Sequence, residues 1–148
     1  MKRFEFPLRA LYEVKTTKKE EKQGEYLTAQ AIQEQFAARK EELTRILATE
    51  RQRCTERMQQ GVTTRELQVY SAFLEEQQKQ LEYACAELSR AQQVTELRRG
   101  ELVSLHKELK MLDKLREEQY RAYLVEVRKK EASAIEDVLA FDLLKAGT

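Results

Sequence analysis

Residues 58–67 read Met58-Gln59-Gln60-Gly61-Val62-Thr63-Thr64-Arg65-Glu66-Leu67 and contain the signals of a helix end followed by a helix start. Gly61 suits the residue just past a helix end, where the backbone often turns left-handed. Thr63 and Glu66 have the T-x-x-E spacing of a capping box, which opens the next helix. The stretch therefore predicts two helices separated by a turn of about three residues.

Turn-forming residues are scarce on both sides of this stretch. The chain has 148 residues with four glycines and one proline, and no proline follows Pro7. Because compact folds of this length need many turns, the composition favours long helices. We predict helix one from about residue 8 to 60, a turn at 61–63 and helix two from about 64 to 144. The predicted fold is all-α, a single domain over residues 1–148 that forms a long antiparallel two-helix coiled-coil hairpin with the second helix longer.

Helix two carries a seven-residue repeat typical of a coiled-coil seam, the stripe that faces the partner helix. One set of seam positions is Leu67, Leu74, Leu81, Leu88, Thr95, Leu102 and Leu109. The other set is Tyr70, Gln77, Ala84, Ala91, Arg98, Leu105 and Leu112. Helix one is less regular, and its best stripe is Ile32, Phe36, Leu43, Leu47, Cys54 and Met58, with Leu8, Leu11 and Val14 near the start.

The short turn makes the helices antiparallel, so that two residues lie level when their numbers add up to about 124. Gly24 and Gly100 then lie level, and we predict a flexible or bent waist there, since glycine is a poor helix former. The alternative is that Gly100 is simply tolerated on a solvent-facing side. Residues 15–25 contain no apolar side chain, so we expect loose pairing with residues 99–109.

The register leaves the end of helix two without a partner helix. Helix one begins level with about residue 116, so the last ~30 residues form a lone helix about 45 Å long. Phe4 and Phe6 can cover only its first turn. Its large apolar residues predict a surface that binds another protein; they are Tyr120, Tyr123, Leu124, Val127, Ile135, Val138, Leu139, Phe141, Leu143 and Leu144.

Several function classes are disfavoured by composition. Lys and Arg number 27 against 26 Asp and Glu, a net charge of +1, so no global field attracts nucleic acid or an anionic membrane. A two-helix hairpin offers no enclosed pocket, and His106 is expected to be a solvated residue beside the seam. We expect no catalysis, cofactor, metal or small-molecule substrate. Cys54 and Cys85 cannot form a disulfide framework, which predicts a reduced, cytoplasmic setting. The absence of an apolar leader or an 18-residue apolar span predicts a soluble protein.

One aromatic residue near the turn has two interpretations. Phe73 lies beside the seam, where helix one cannot wholly cover it. It either packs sideways on helix one near Arg51 or faces a partner protein, and the pattern leaves both open.

Four segments of the chain together resemble the flagellar export protein FliJ family. They are residues 4–11 (FEFPLRAL), Gly61-Val62 with residues 70–74 (YSAFL), residues 110–115 (KMLDKL), and Glu126 and Glu131 followed by residues 135–137 (IED). Each motif alone is weak, because coiled coils share composition. Their order, their spacing and the chain length make the resemblance fairly specific.

The resemblance implies a non-enzymatic part of the flagellar type III export apparatus. Family members are similar to the central stalk of rotary ATPases, and the resemblance implies insertion into the ring of the export ATPase FliI. It also implies contact with the export gate protein FlhA and with export chaperones, at the inner face of the cell membrane at the flagellar base. The family's gate-contacting aromatic matches Phe73. The chain departs from the family pattern at Gln77, Gln80 and Ala84, where a more apolar face is expected.

The residues and the resemblance together assign a partner to each end of the hairpin. We expect the lone helix, with Ile135, and the open end to enter the ATPase ring; the open-end residues are Phe4, Phe6, Tyr120, Tyr123, Leu124 and Val127. We expect Phe73, with Tyr70, to face the gate. The first alternative is a scaffolding coiled coil that self-associates through an exposed seam near Leu102 and Leu109. The second is a nucleic-acid-binding helical arm, which the near-zero net charge disfavours.

Overall fold

The computed structural model describes residues 2–147, which form two α-helices and no strand. Helix α1 spans Arg9–Gln60 and helix α2 spans Thr64–Ala146. The predicted fold class, an all-α hairpin with the second helix longer, is confirmed. Sequence reasoning placed the start of α1 one residue early and the end of α2 two residues early.

The turn between the helices has the conformation that its sequence predicts. Gly61 has a φ of 95°, the left-handed region that glycine enters at little cost. Its N–H donates to the carbonyl of Met58 at 3.2 Å, which ends α1. The Thr63 hydroxyl accepts a hydrogen bond from the N–H of Glu66 at 3.2 Å, which caps the start of α2.

The chain divides into two compact units, and both helices contribute to each. One unit, here called the turn unit, is Glu21–Leu102 and contains the turn. The other, here called the terminal unit, holds the chain up to Glu20 and from Val103 onward. That the chain forms a single domain stays a prediction.

In the turn unit the seam predicted for α2 is observed from Tyr70 to Leu102. Every predicted seam residue in this range is buried or half-buried. Thr95 is the one polar residue among those fully buried, and its hydroxyl donates to the carbonyl of Ala91 at 3.0 Å. Leu67, the predicted seam residue before this range, is exposed close to the turn.

The stripe predicted for α1 is partly wrong. Leu43, Leu47 and Cys54 are buried, but Ile32 and Met58 are exposed. The observed inward positions in the turn unit form two series spaced by seven residues: Tyr26, Gln33, Lys40, Leu47 and Cys54, and Ala29, Phe36, Leu43 and Glu50. Three of these nine side chains, Gln33, Lys40 and Glu50, are polar or charged. They fit because long polar side chains bury their stems and keep their polar ends in water.

In the terminal unit the helices make specific contacts where the sequence predicts loose pairing. Lys15 Nζ lies 2.8 Å from Glu108 Oε2, and Lys19 Nζ lies 3.4 Å from His106 Nδ1. Leu105 and Leu109 of α2 are buried, although no apolar side chain of α1 lies level with them. Lys15 and Lys19 are half-buried and their ammonium groups contact α2, so we infer that their aliphatic stems cover these leucines.

The stripe predicted for α1 is also partly wrong in the terminal unit. Leu11 and Val14, which the sequence placed in the stripe of α1, are exposed, and Tyr12 instead turns inward. A hydrogen bond with Asp113 raises the pKa of Tyr12.

Leu109 is buried within the hairpin, so the self-associating alternative loses the exposed seam on which it depended.

Gly24 and Gly100 offer a test of helix stability in the turn unit. Both helices continue unbroken through them, and a Cβ built at either residue meets no atom within 4 Å. Because alanine loses less backbone entropy than glycine in a helix, Gly24→Ala and Gly100→Ala should each raise the free energy of unfolding by about 1 kcal/mol. Denaturant titration followed by circular dichroism measures the change.

Gly61→Ala is the matched control for these substitutions. At a φ of 95° an alanine is strained, so this variant should lose about 1–2 kcal/mol. A loss of stability at Gly24 or Gly100 would contradict the open surroundings of these glycines. The predicted waist at the two glycines stays a prediction.

Candidate partner-binding surfaces

The C-terminal part of α2 is a bare helix with a large apolar content. Every described residue from Glu131 to Gly147 is exposed. Its exposed large apolar residues are Ile135, Val138, Leu139, Phe141, Leu143 and Leu144. Concentrated apolar surface of this kind marks protein-binding sites, because leaving it in water is unfavourable.

An aromatic cluster lies on α2 before this bare segment. The ring centroid of Phe4 is 5.2 Å from that of Tyr120, in an edge-to-face arrangement, and 5.5 Å from that of Tyr123. The two tyrosine rings are 6.2 Å apart and stacked. The Tyr123 hydroxyl donates to the carbonyl of Lys2 at 2.8 Å. These contacts fix the segment before α1 against α2.

The structure therefore brings part of the sequence-predicted open end together. Phe4, Tyr120 and Tyr123 are in direct ring contact. Three more predicted residues of the same unit are half-buried: Phe6, Leu124 and Val127. The cluster is thus partly satisfied within the chain, whereas Ile135 stands on the bare helix with its side chain exposed.

The residues predicted to face the gate belong to the turn unit. Phe73 is 41% exposed, and Tyr70 is half-buried at a seam position. The Arg51 guanidinium, suggested from the sequence as a packing partner for Phe73, donates to Gln78 Oε1 at 3.1 Å. The exposure of Phe73 favours the interpretation as a contact surface. Ala84, one of the departures from the family pattern, is buried in the seam and does not contribute to this surface.

A four-residue charged cluster joins the helices in the turn unit on either side of the level of Gly24 and Gly100. Lys22 Nζ lies 3.1 Å from Glu101 and 3.1 Å from Glu25. Arg98 lies 3.4 Å from Glu25 and 3.2 Å from Glu101. The cross-helix partners confirm the predicted register in this unit. The hydrogen bond with Lys22 lowers the pKa of Glu101, and the same bond raises the pKa of Lys22.

This cluster predicts a pH dependence of stability. The contribution of Glu101 should be fully present above its ordinary pKa of 4.5 and be lost as the pH falls through the lowered value. The contribution of Lys22 should be fully present below its ordinary pKa of 10.5 and be lost as the pH rises through the raised value. In thermal melts, the melting temperature of the wild type should therefore be higher than that of Glu101→Gln between these pH limits. The two melting temperatures should converge at acidic pH. The exposed Glu41→Gln is the control, and a gap that stays constant to the lowest pH would contradict the prediction.

Sequence reasoning missed the lysines of α1 as seam residues. Lys15 and Lys22 are seven residues apart, as are Tyr12, Lys19 and Tyr26. This spacing was a usable signal, but a search for apolar residues alone passes over it. The fixing of Lys2 by Tyr123 had no signal in the sequence.

Residues 2–147 contain no group of three or more His, Cys, Asp or Glu side chains placed to hold a metal ion. Cys54 and Cys85 are free thiols. No helix within the same range combines the length and the apolar character needed to cross a membrane.

Comparison with known proteins supplies the family. The family model described as "Flagellar FliJ protein" matches residues 4–141. The comparisons with curated proteins and with solved structures found no match. Proteins of this family are structural components of the flagellar export apparatus. Because the match covers nearly the whole chain and agrees with the observed hairpin, the chain belongs to the FliJ family.

Proposed function

We propose that the chain is a non-enzymatic stalk that links the ring of the export ATPase FliI to the export gate protein FlhA. The observation that carries the proposal is the bare apolar helix from Glu131 onward, which a protein without partners would not keep in water. Family membership supports a role within the export apparatus. The ring and the gate as the two partners are our proposal.

The ATPase end of the proposed stalk is the bare helix together with the aromatic cluster. A hairpin end that enters a ring needs apolar side chains that the ring can bury, and Ile135 and Phe141 are exposed in this way. Phe4, Tyr120 and Tyr123 hold the N-terminal segment beside α2. The proposed binding set at this end is Phe4, Phe6, Tyr120, Tyr123, Leu124, Val127 and Ile135.

The gate end of the proposed stalk is the surface that follows the turn. Phe73 is exposed there, and aromatic side chains anchor protein interfaces because they bury a large area at a low entropy cost. Tyr70, which is half-buried at a seam position three residues earlier, completes the proposed binding set at this end. The polar Gln80 on this side makes the apolar surface small, so we propose that Phe73 is its dominant residue.

The proposal also covers the setting in which the stalk acts. We propose a cytoplasmic protein held at the inner face of the membrane at the flagellar base by its partners, and one that helps chaperones deliver export substrates. The net charge of +1 supports protein partners rather than nucleic acid. The proposal involves no cofactor and no small-molecule substrate.

A truncation tests the ATPase end. A chain that ends at Lys130 loses only described residues that are exposed, so its fold should be intact by circular dichroism. We expect capture of this variant by the immobilised ATPase to fall at least tenfold, while capture by the gate protein stays at the wild-type level. Normal binding of the truncated chain to the ATPase would overturn the assignment of this end.

A substitution tests the gate end. Phe73→Ala should lower capture by the gate protein about tenfold or more, as removal of a dominant interface aromatic does, without changing capture by the ATPase. Val69→Ala is the matched control, because Val69 is an exposed residue one turn away on the same helix. Equal gate binding by both variants would contradict the role of Phe73.

A further inference from the structure

The turn unit has an apolar groove between α1 and α2. It has a volume of about 290 Å³. Its lining residues are Ala29, Ile32 and Phe36 of α1 and Glu87, Arg90, Ala91 and Val94 of α2. Most of these side chains are apolar, and the two charged residues are neighbours on the α2 rim.

Small seam residues explain why the groove exists. Ala29 and Ala91 are both buried at seam positions, where a larger side chain would fill the space between the helices. Ile32 and Val94 flank the gap and are exposed. The groove is therefore a place where a large side chain from outside can gain apolar contacts.

The α2 rim of the groove has a self-complementary order of side chains. Tyr83, Glu87, Arg90 and Val94 are spaced by four, three and four residues, which places them on one helix face. Along this face the order is apolar, acidic, basic, apolar. A second copy of the same face, laid antiparallel, places acid against base and apolar against apolar.

The charges on this rim are available for such a contact. None of the ion pairs formed among residues 2–147 involves Arg90 or Glu87. A hydrogen bond with Glu87 raises the pKa of Tyr83, whose side chain is nevertheless 63% exposed. An unpaired arginine beside an exposed tyrosine is typical of the residues that anchor protein interfaces.

We propose that this face binds a second copy of the chain in an antiparallel, two-fold symmetric contact centred between Glu87 and Arg90. Glu87 of each copy then faces Arg90 of the other. Tyr83 of each copy lies against Val94 of the other and enters its groove, beside Ile32 and Phe36. Symmetry makes each of these contacts twice, which is the general feature of two-fold interfaces.

The extent of the face sets the strength of the contact. Tyr83 and Val94 are eleven residues apart, or about 16 Å along the helix. A contact that extends over only about three turns of one helix buries less than the standard interface of about 800 Å² per partner. We therefore expect a reversible dimer that forms in the micromolar range. The face lies outside the Leu102 and Leu109 seam, which is covered within the hairpin.

Charge reversal tests the proposal on the full chain. Sedimentation equilibrium should show a concentration-dependent dimer for the wild type. Glu87→Arg places arginine against Arg90, and Arg90→Glu places glutamate against Glu87, so each variant alone should weaken dimerisation at least tenfold. A mixture of the two single variants should form a heterodimer, and the double variant E87R/R90E should dimerise like the wild type.

The pattern across the five samples decides the outcome. Arg90 is exposed and Glu87 is half-buried on the rim of the groove, and circular dichroism should show an unchanged helix content for both variants. A wild type that stays monomeric at about 100 µM, well above the range expected for a small interface, would overturn the proposal. A dimer that neither charge reversal weakens, or two single variants that fail to associate with each other, would also overturn it.

Discussion

Leu47→Ala is expected to lower the free energy of unfolding by about 3 kcal/mol, the range found for buried leucines. Leu47 is only 2% exposed, the lowest value among the buried apolar residues. The loss combines the lost burial of the side chain with the cavity that it leaves. A two-helix seam has only one layer of side chains, so no second layer can repack to fill the cavity. Urea titration followed by circular dichroism measures the effect.

Leu27→Ala is the control for this prediction. Leu27 belongs to the same helix and the same unit, but its side chain is exposed. We expect its unfolding free energy to change by less than about 0.5 kcal/mol, as for most surface substitutions. Equal effects of the two substitutions would mean that Leu47 does not face α2.

Leu109→Ala is expected to lower the stability of the terminal unit by about 2 kcal/mol, the lower end of the range for buried leucines. Leu109 is buried, and the stem of Lys15 lies level with it. Because a flexible lysine can follow the shortened side chain, part of the cavity should close. Hydrogen exchange at the amides of residues 105–112 measures the loss where it occurs.

This prediction separates two descriptions of the lysine-rich pairing. Loose pairing, expected from the sequence, predicts almost no change in protection. Pairing through lysine stems and the ion pair between Lys15 and Glu108 predicts the full loss. Met111→Ala, an exposed substitution in the same stretch, should leave protection unchanged. Unchanged hydrogen-exchange protection in Leu109→Ala would support the loose pairing.

The turn and the seam of α2 could be read from the sequence because their signals are strong. Gly61 and the Thr63 cap mark a helix break by two independent rules, for a backbone conformation and for a hydrogen bond. Leucine at intervals of seven marks α2 directly. The short turn then determines the register, which the pairs of Lys22 with Glu101 and Glu25 with Arg98 confirm.

The seam of α1 could not be read from apolar residues alone. The inward positions of α1 include Lys15, Lys19 and Lys22. A search for apolar residues passes over lysine, although its aliphatic stem packs like an apolar side chain. Val14 was placed inward because it is apolar, yet it is exposed. A single exposed valine costs little, so the choice of face is decided by the whole repeat.

Some of the candidate surfaces could be predicted from the sequence and others could not. The bare end of α2 could be predicted because helix lengths and register alone leave it without a partner helix. The contact of Phe4 with Tyr120 was expected, but the hydrogen bond that fixes Lys2 to Tyr123 depends on a backbone path that no pattern specifies. The groove beside Val94 was missed, because it arises from two alanines on different helices.

Site-specific photo-crosslinking in flagellated cells can show whether the two ends of the hairpin contact different partners. A photoreactive phenylalanine analogue is placed at Phe141, on the bare helix, or at Phe73, after the turn; both side chains are exposed. The account predicts that position 141 crosslinks to the export ATPase and that position 73 crosslinks to the gate protein. Capture of the same partner from both positions, or exchange of the two partners, would contradict it.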